Sequence, residues 1–172
     1  MIDDFVKKDI VQYGDFQLKS GKRSNIYINL KKIISFPDLH GSICNKIALK
    51  IKPDVDLICG TPYGAISFAS HISITQNIPM IFLRKETKDY GTKQLIEGNY
   101  LSGQKVVLIE DVTTTGNSVI DAAKKLEEQG LNVIQIITIV SRSEDKLLNY
   151  NTIPIEYLFH LEDLLPKKQY NK

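Results

Sequence analysis

Apolar positions along the chain alternate between two rhythms. Within "FPDLHGSICNKIALKI", Leu39, Ile43, Ile47 and the Ala48/Ile51 pair recur at helical spacing. "VDLICG" is a short continuous apolar run ended by Gly60, which predicts a buried strand. "AISFASHISITQ" predicts a helix and "PMIFLRK" a second strand, followed by a long polar stretch from Glu86 to Gln104. "KVVLIE" predicts a third strand. "NSVIDAAKKLEEQG" predicts a helix with Asn117 or Ser118 as its cap and Gly130 just past its end. "NVIQIITIV" is a further apolar strand. Strands that alternate with helices and are apolar throughout predict an α/β fold: a mainly parallel central sheet with helices on both faces. Residues before about 36 form a separate N-terminal segment. With no repeat, low-complexity tract or Gly/Ser/Pro-rich linker, the pattern predicts one domain over 1–172.

In such sheets ligands bind beyond the carboxyl ends of the strands. "VVLIEDVTTTGNSV" places two adjacent carboxylates, Glu110 and Asp111, at one of those ends. Carboxylates are costly to desolvate without partners, so the stretch asks for a ligand. A turn containing Thr113, Thr114, Thr115 and Gly116 then leads into a helix N-terminus, where free N–H groups and the helix dipole favour an anion. One phosphate fits there, and vicinal hydroxyls fit the acid pair. The alternative is a capped helix whose acids are simply solvated. A P-loop NTPase is excluded, because no G-x-x-x-x-G-K-[ST] segment precedes the strand.

Two other stretches bear on that choice. The polar connection is about twenty residues long, and such loops in compact domains tend to be lids or disordered. Its opening, "RKETKDYGTKQLIEGN", carries Arg84, Lys85 and Lys88, side chains suited to a polyanion. By itself it would read as a solvated loop, but it starts at a strand end. "CGTPYGAIS" is a second strand-to-helix turn, with Thr61 and Gly64 placed for backbone approach to an anion; alone it would be only a helix start with Pro62 in the turn. Two anion turns and a basic loop at one sheet edge point to a multiply phosphorylated sugar.

Composition narrows the class. The chain has 172 residues, 42% hydrophobic and 24% charged, as expected of one soluble globular domain. A net charge of +2 gives no bulk case for nucleic acid or an anionic membrane. No apolar run reaches membrane-spanning length. Cys44 and Cys59 lack metal-like spacing and read as buried free thiols, which fits a reducing compartment. The charged start, "MIDDFVKKDI", has no signal-peptide core, so a cytoplasmic protein is expected.

"EDVTTTG" resembles the phosphoribosyl-pyrophosphate signature of type I phosphoribosyltransferases. "GDFQLKSGKRSNIYINL" and "RKETKDYGTKQLIEG" resemble the two hallmark segments of the orotate phosphoribosyltransferases within that family. The likeness runs from about Tyr13 to Arg142, with three motifs in the family's order. It implies the type I phosphoribosyltransferase fold, with a small N-terminal hood over about 1–36 and a flexible catalytic loop over 84–104. It also implies the family's reaction in UMP biosynthesis: orotate and 5-phosphoribosyl 1-pyrophosphate (PRPP) give orotidine 5′-monophosphate and pyrophosphate, with Mg²⁺.

Carried onto this chain, the resemblance gives Thr113, Thr114, Thr115 and Gly116 the 5′-phosphate, and Glu110 and Asp111 the ribose hydroxyls. Arg84, Lys85, Lys88 and Tyr90 would lie over the pyrophosphate, with the turn containing Thr61, Tyr63 and Gly64 beneath it and Lys19 reaching it from the hood. Lys88, Asp111 and Glu110 are the candidates for catalysis. Tyr27, Ile28, Thr114 and Arg142 would form the orotate side, with Arg142 pairing the orotate carboxylate. No protein metal ligands are expected, since Mg²⁺ would be held mainly by PRPP and water.

The resemblance further implies a homodimer with shared active sites. It leaves the next enzyme, orotidine monophosphate decarboxylase, on a separate chain, since no room is left for a fused domain. Tyr90 stands where many bacterial relatives have histidine, and Arg142 sits in "VSRSEDK" rather than the usual Asp-Arg followed by a glycine-containing stretch. The competing class is a regulator that binds PRPP without turnover; the lid lysines argue against it. A closer rival is a phosphoribosyltransferase for another base, which would have no use for Arg142.

Overall fold

The computed structural model describes residues 2–17, 23–85, 95–143 and 148–165. Its centre is a seven-stranded sheet, in the order β5-β4-β3-β6-β7-β9-β8. Four of these strands are the apolar runs of the sequence: β3 (Leu57–Gly60), β4 (Met80–Leu83), β6 (Lys105–Thr113) and β7 (Asn132–Ser141). They pair in parallel, joined by β9 (Ile153–His160). The edges are capped by short antiparallel strands, β5 (Ile96–Glu97) on β4 and β8 (Asn149–Tyr150) on β9.

Alternate residues of β6 feed two cores. Val107 and Ile109 join Phe68, Ile72, Ile43 and Ile47, under α2 (Pro37–Ala48) and α3 (Ile66–Gln76). Val106 and Leu108 join Val119, Ala123 and Leu126 of α4 (Asn117–Glu128). Burial on both faces is why these strands read as continuous hydrophobic runs.

The N-terminal segment is a helix, α1 (Ile2–Lys7), an antiparallel hairpin of β1 (Val11–Gln17) and β2 (Arg23–Ile28), and a 3-10 turn over Leu30–Ser35. It is packed into the first core rather than resting on it. Phe5 and Ile10 are fully buried, and the Phe5 ring meets Phe159 of β9 edge-on at 5.4 Å.

Three expectations need correction. The helix after the threonine turn is not capped by Asn117 or Ser118; its cap position is Gly116, at φ 83°, a left-handed conformation that glycine adopts without a Cβ penalty. The stretch from Glu86 to Gln104 is not wholly without secondary structure, because Ile96–Glu97 pairs with β4. And β6 does not stop at Glu110: pairing of Val112 with Val140 and Thr113 with Ser141 carries it three residues further. Among the described residues, no helix is long and apolar enough to cross a membrane.

Candidate active site

The parallel register sets three strand ends side by side. Gly60 of β3 pairs with Ile109 of β6 on one side and with Phe82 of β4 on the other. The turn Thr61–Gly64, the Arg84–Lys85 start of the basic loop and the acid–threonine segment therefore share one sheet edge. A cleft of ≈ 220 Å³ there is lined by Thr61, Pro62, Arg84 and Lys85, and by Ser118, Asp121 and Lys125 of α4.

Glu110 is not the unpartnered acid that its sequence context suggests. It is only 5% exposed and accepts a hydrogen bond from the Thr61 hydroxyl at 2.6 Å. The same oxygen accepts from the Asp111 backbone N–H at 3.0 Å. Burial, reinforced by the neighbouring Asp111 side chain, nonetheless pushes the Glu110 carboxyl up to about 8. Asp111 is half-buried and accepts from the Val112 N–H at 2.8 Å. Its carboxylate fills the space where Gly64 has no side chain, and a Cβ on Gly64 would fall on it.

The three threonines are not equivalent. The Thr113 side chain is turned into the sheet, where its hydroxyl bonds the Thr138 hydroxyl at 2.9 Å. Thr114 and Thr115 are exposed, immediately before the α4 N-terminus, and Gly116 has no side chain with which to cap it. That terminus leaves backbone N–H groups to a ligand.

The basic residues are held in place by local partners. Arg84 forms an ion pair with Glu97 of β5, and its Nε is the buried side-chain polar atom without a hydrogen-bond partner among the described residues. Lys85 Nζ lies 4.4 Å from the centre of the Tyr63 ring, a cation–π contact. Lys19, Lys88 and Tyr90 lie outside the described residues.

Arg142 connects this edge to the β1–β2 hairpin. Its backbone N–H donates to the Thr113 carbonyl at 2.7 Å, so it starts directly beside the threonine turn. Its guanidinium donates to Ser24 Oγ at 3.0 Å and to the Ile26 carbonyl at 3.3 Å, both on β2. Burial pulls the guanidinium below its ordinary value. Tyr27 is the next residue along β2, its ring stacked on Phe16 at 5.4 Å, while the Ile28 side chain is buried. Neither Glu97 nor Ser24 was a candidate in the sequence, and nothing local marks them: each is defined by a partner brought in from another element.

A Mg²⁺ ion takes oxygen ligands and keeps several waters and substrate phosphates among them. The donors at this edge suit an ion that arrives with a diphosphate. Glu110 is tied to Thr61, and among the described residues no group of three or more carboxylates is close enough to cage a metal.

The sequence profile of the phosphoribosyl transferase domain matches residues 29–156, most of the chain and all of the described site except the β1–β2 hairpin. The chain belongs to the phosphoribosyl transferase family. Within this family it is similar to the orotate phosphoribosyltransferase of Pyrococcus horikoshii, 41% identical over 147 residues that cover 84% of this chain and 79% of that protein. Among solved structures, the orotate phosphoribosyltransferase of Aeropyrum pernix superposes with a TM-score of 0.82 at 25% identity, covering 95% of this chain and 94% of that one. The UMP synthase of Leishmania donovani superposes with a TM-score of 0.83 at 34% identity; 95% of this phosphoribosyltransferase chain covers 36% of that longer protein.

Proposed function

We propose that this chain transfers the phosphoribosyl group of PRPP to orotate, giving orotidine 5′-monophosphate and pyrophosphate on the way to UMP. The observation that carries the reading is the shared sheet edge, where the Thr61–Gly64 turn, Arg84 and Lys85, and the Glu110–Gly116 segment meet. The similarity to orotate phosphoribosyltransferases supports the choice of base.

On this reading the α4 N-terminus receives the 5′-phosphate, with Thr114 and Thr115 adding hydroxyl donors. Gly116 and the Thr113 backbone complete the turn, while the Thr113 hydroxyl stays with Thr138. Asp111 and Glu110 accept the ribose hydroxyls. The diphosphate lies between the Thr61, Tyr63 and Gly64 turn and the cations Arg84 and Lys85; an anion there would relieve the unpartnered Arg84 Nε. The sequence motifs assign Lys19, Lys88 and Tyr90, which lie outside the described residues, to the same diphosphate. Bound Mg²⁺ supplies further positive charge on the diphosphate oxygens.

Breaking the C1–oxygen bond leaves cationic character on the ribose and negative charge on the departing diphosphate. Fixed cations are therefore worth most on the leaving side. A loop over 84–104 that closed on the bound substrates, as the family resemblance implies, would exclude water that could hydrolyse the activated sugar. Among the described residues, the half-buried Arg142 guanidinium bonds neutral oxygens of Ser24 and Ile26, and the orotate carboxylate would supply it with a charged partner. Orotate is already anionic, so a strong general base is not needed. The working unit is a homodimer, with the loop of each subunit serving the other's site. Its setting is cytoplasmic, supported by two buried free thiols.

The test is the loss of orotate ultraviolet absorbance. It should require the protein, PRPP and Mg²⁺ together, and adenine should not replace orotate. Consumption of adenine but not orotate would overturn the assignment.

A further inference from the structure

Two of the chain's three histidines and one of its two cysteines meet on the seam between α2 and α3. His40 and Cys44 are four residues apart on α2, so they share one face of that helix. His71 comes from α3, its ring 5.4 Å from that of His40. One donor atom from each residue lies within 4.8 Å of the others, and the Cys44 sulfur is 3.7 Å from His40 Nδ1. None of the three is used by the transfer reaction.

We propose that His40, Cys44 and His71 form a zinc site that clamps α2 to α3. Zn–S distances of about 2.3 Å and Zn–N distances of about 2.0–2.1 Å give a tetrahedron with ligand–ligand edges near ~3.3–3.6 Å. The Cys44–His40 pair is close to that spacing, and the widest pair has up to about 1.2–1.5 Å to close. The far side of the His40 ring is already arranged for coordination: Nε2 lies 3.3 Å from the Ser67 hydroxyl, which leaves Nδ1 on the cysteine side. A ligand imidazole is usually fixed by a bond of this kind from its other nitrogen. Stacking on Phe68, with ring centres 4.5 Å apart and an interplanar angle of 19°, holds the ring in that orientation.

The donor set also selects the ion. One thiolate and two imidazoles suit Zn²⁺ and related borderline-soft ions, whereas Mg²⁺ takes oxygen. On binding, the metal–sulfur bond replaces the thiol S–H, the proton passes to solvent, and a water completes the fourth position. The clamp grips the middle of α3, the helix that follows the Thr61–Gly64 turn.

The test is titration of the tag-free, chelator-stripped full chain with Co²⁺ as a spectroscopic substitute, followed by displacement with Zn²⁺. One ion per chain should bind, with a thiolate-to-cobalt charge-transfer band and the strong visible bands of a four-coordinate ion. Cys44→Ser should abolish the charge-transfer band, and His71→Ala, at a half-buried position, should weaken binding at least ~10-fold, in line with loss of a ligand. Cys59→Ser, which removes the fully buried thiol of the other core, should leave the spectrum unchanged. Zn²⁺ should raise the unfolding midpoint of the wild type but not of His71→Ala. Absence of the band in the wild type, its persistence in Cys44→Ser, or Co²⁺ binding that ignores His71→Ala would each overturn the proposal.

Discussion

The Thr61 hydroxyl donates to the Glu110 carboxyl at 2.6 Å, tying the turn after β3 to the end of β6 by one buried bond. Thr61 is 4% exposed and Glu110 5%, so little water is available to replace either partner. Thr61→Val should therefore destabilise the protein by about 1–3 kcal/mol, the cost of leaving a buried acceptor short of a partner, whereas Thr61→Ser should restore most of it. Denaturant unfolding measures both. A cycle with Glu110→Gln should show coupling; strictly additive effects would mean that the bond does not hold the two elements together.

Glu110 also sets a pH dependence. Burial raises its carboxyl from an ordinary 4.5 to about 8, so between those values the folded state binds more protons than the unfolded chain. Stability from this group is full below about 4.5 and is lost as the pH rises toward 8, amounting to at most a few kcal/mol. Burial lowers His40, which works in the opposite direction near its own titration, so the informative quantity is the difference between wild type and Glu110→Gln. That difference should move against the wild type as pH rises from 4.5 to 8. A flat difference would contradict the raised value.

Arg142 is bonded to Ser24 and Ile26 of β2 and so has a structural role whether or not it meets the base. If it also pairs the orotate carboxylate, Arg142→Ala should raise the KM for orotate far more than that for PRPP. The poor use of uracil, which lacks the carboxylate, should hardly change. Equal losses for both bases would assign Arg142 to anchoring the hood alone.

The strands at the centre of the sheet were legible because both faces are buried. Val106–Ile109 is an unbroken apolar run for that reason, and only Thr138 interrupts the apolar run Ile136–Val140. The last long strand, β9, was missed: Pro154 and Glu156 interrupt it, and most of its residues are only half-buried. β5 is two residues long, too short to show a period.

At the site, the sequence picked out the segments but not the partners within them. Three consecutive threonines look alike until the pairing of Thr113 with Ser141 turns the first one inward toward Thr138. The acids seemed to await a ligand because the Thr61 that satisfies Glu110 lies 49 residues earlier. Lys19, Lys88 and Tyr90 fall outside the described residues, so their placement rests on the sequence motifs.

The proposal of shared sites is tested by mixtures of variants. Lys88→Ala and Asp111→Asn should each retain at most about a tenth of wild-type activity alone. After subunit exchange, a heterodimer carries one site with both defects and one with neither, so random pairing should restore up to about a quarter of wild-type sites. Mixtures that form heterodimers yet stay inactive would place Lys88 in its own subunit's site.

The central claim is phosphoribosyl transfer to orotate at the Thr61–Asp111 edge, and product stoichiometry tests it most directly. With PRPP and Mg²⁺ present, wild type should release one pyrophosphate and form one orotidine 5′-monophosphate for each orotate consumed. Asp111→Asn, with an unchanged unfolding transition, should lower kcat/KM for PRPP about 10- to 100-fold, as expected for the loss of a charge-assisted hydrogen bond. Pyrophosphate release that does not depend on orotate, or a folded Asp111→Asn with wild-type kinetics, would contradict the account.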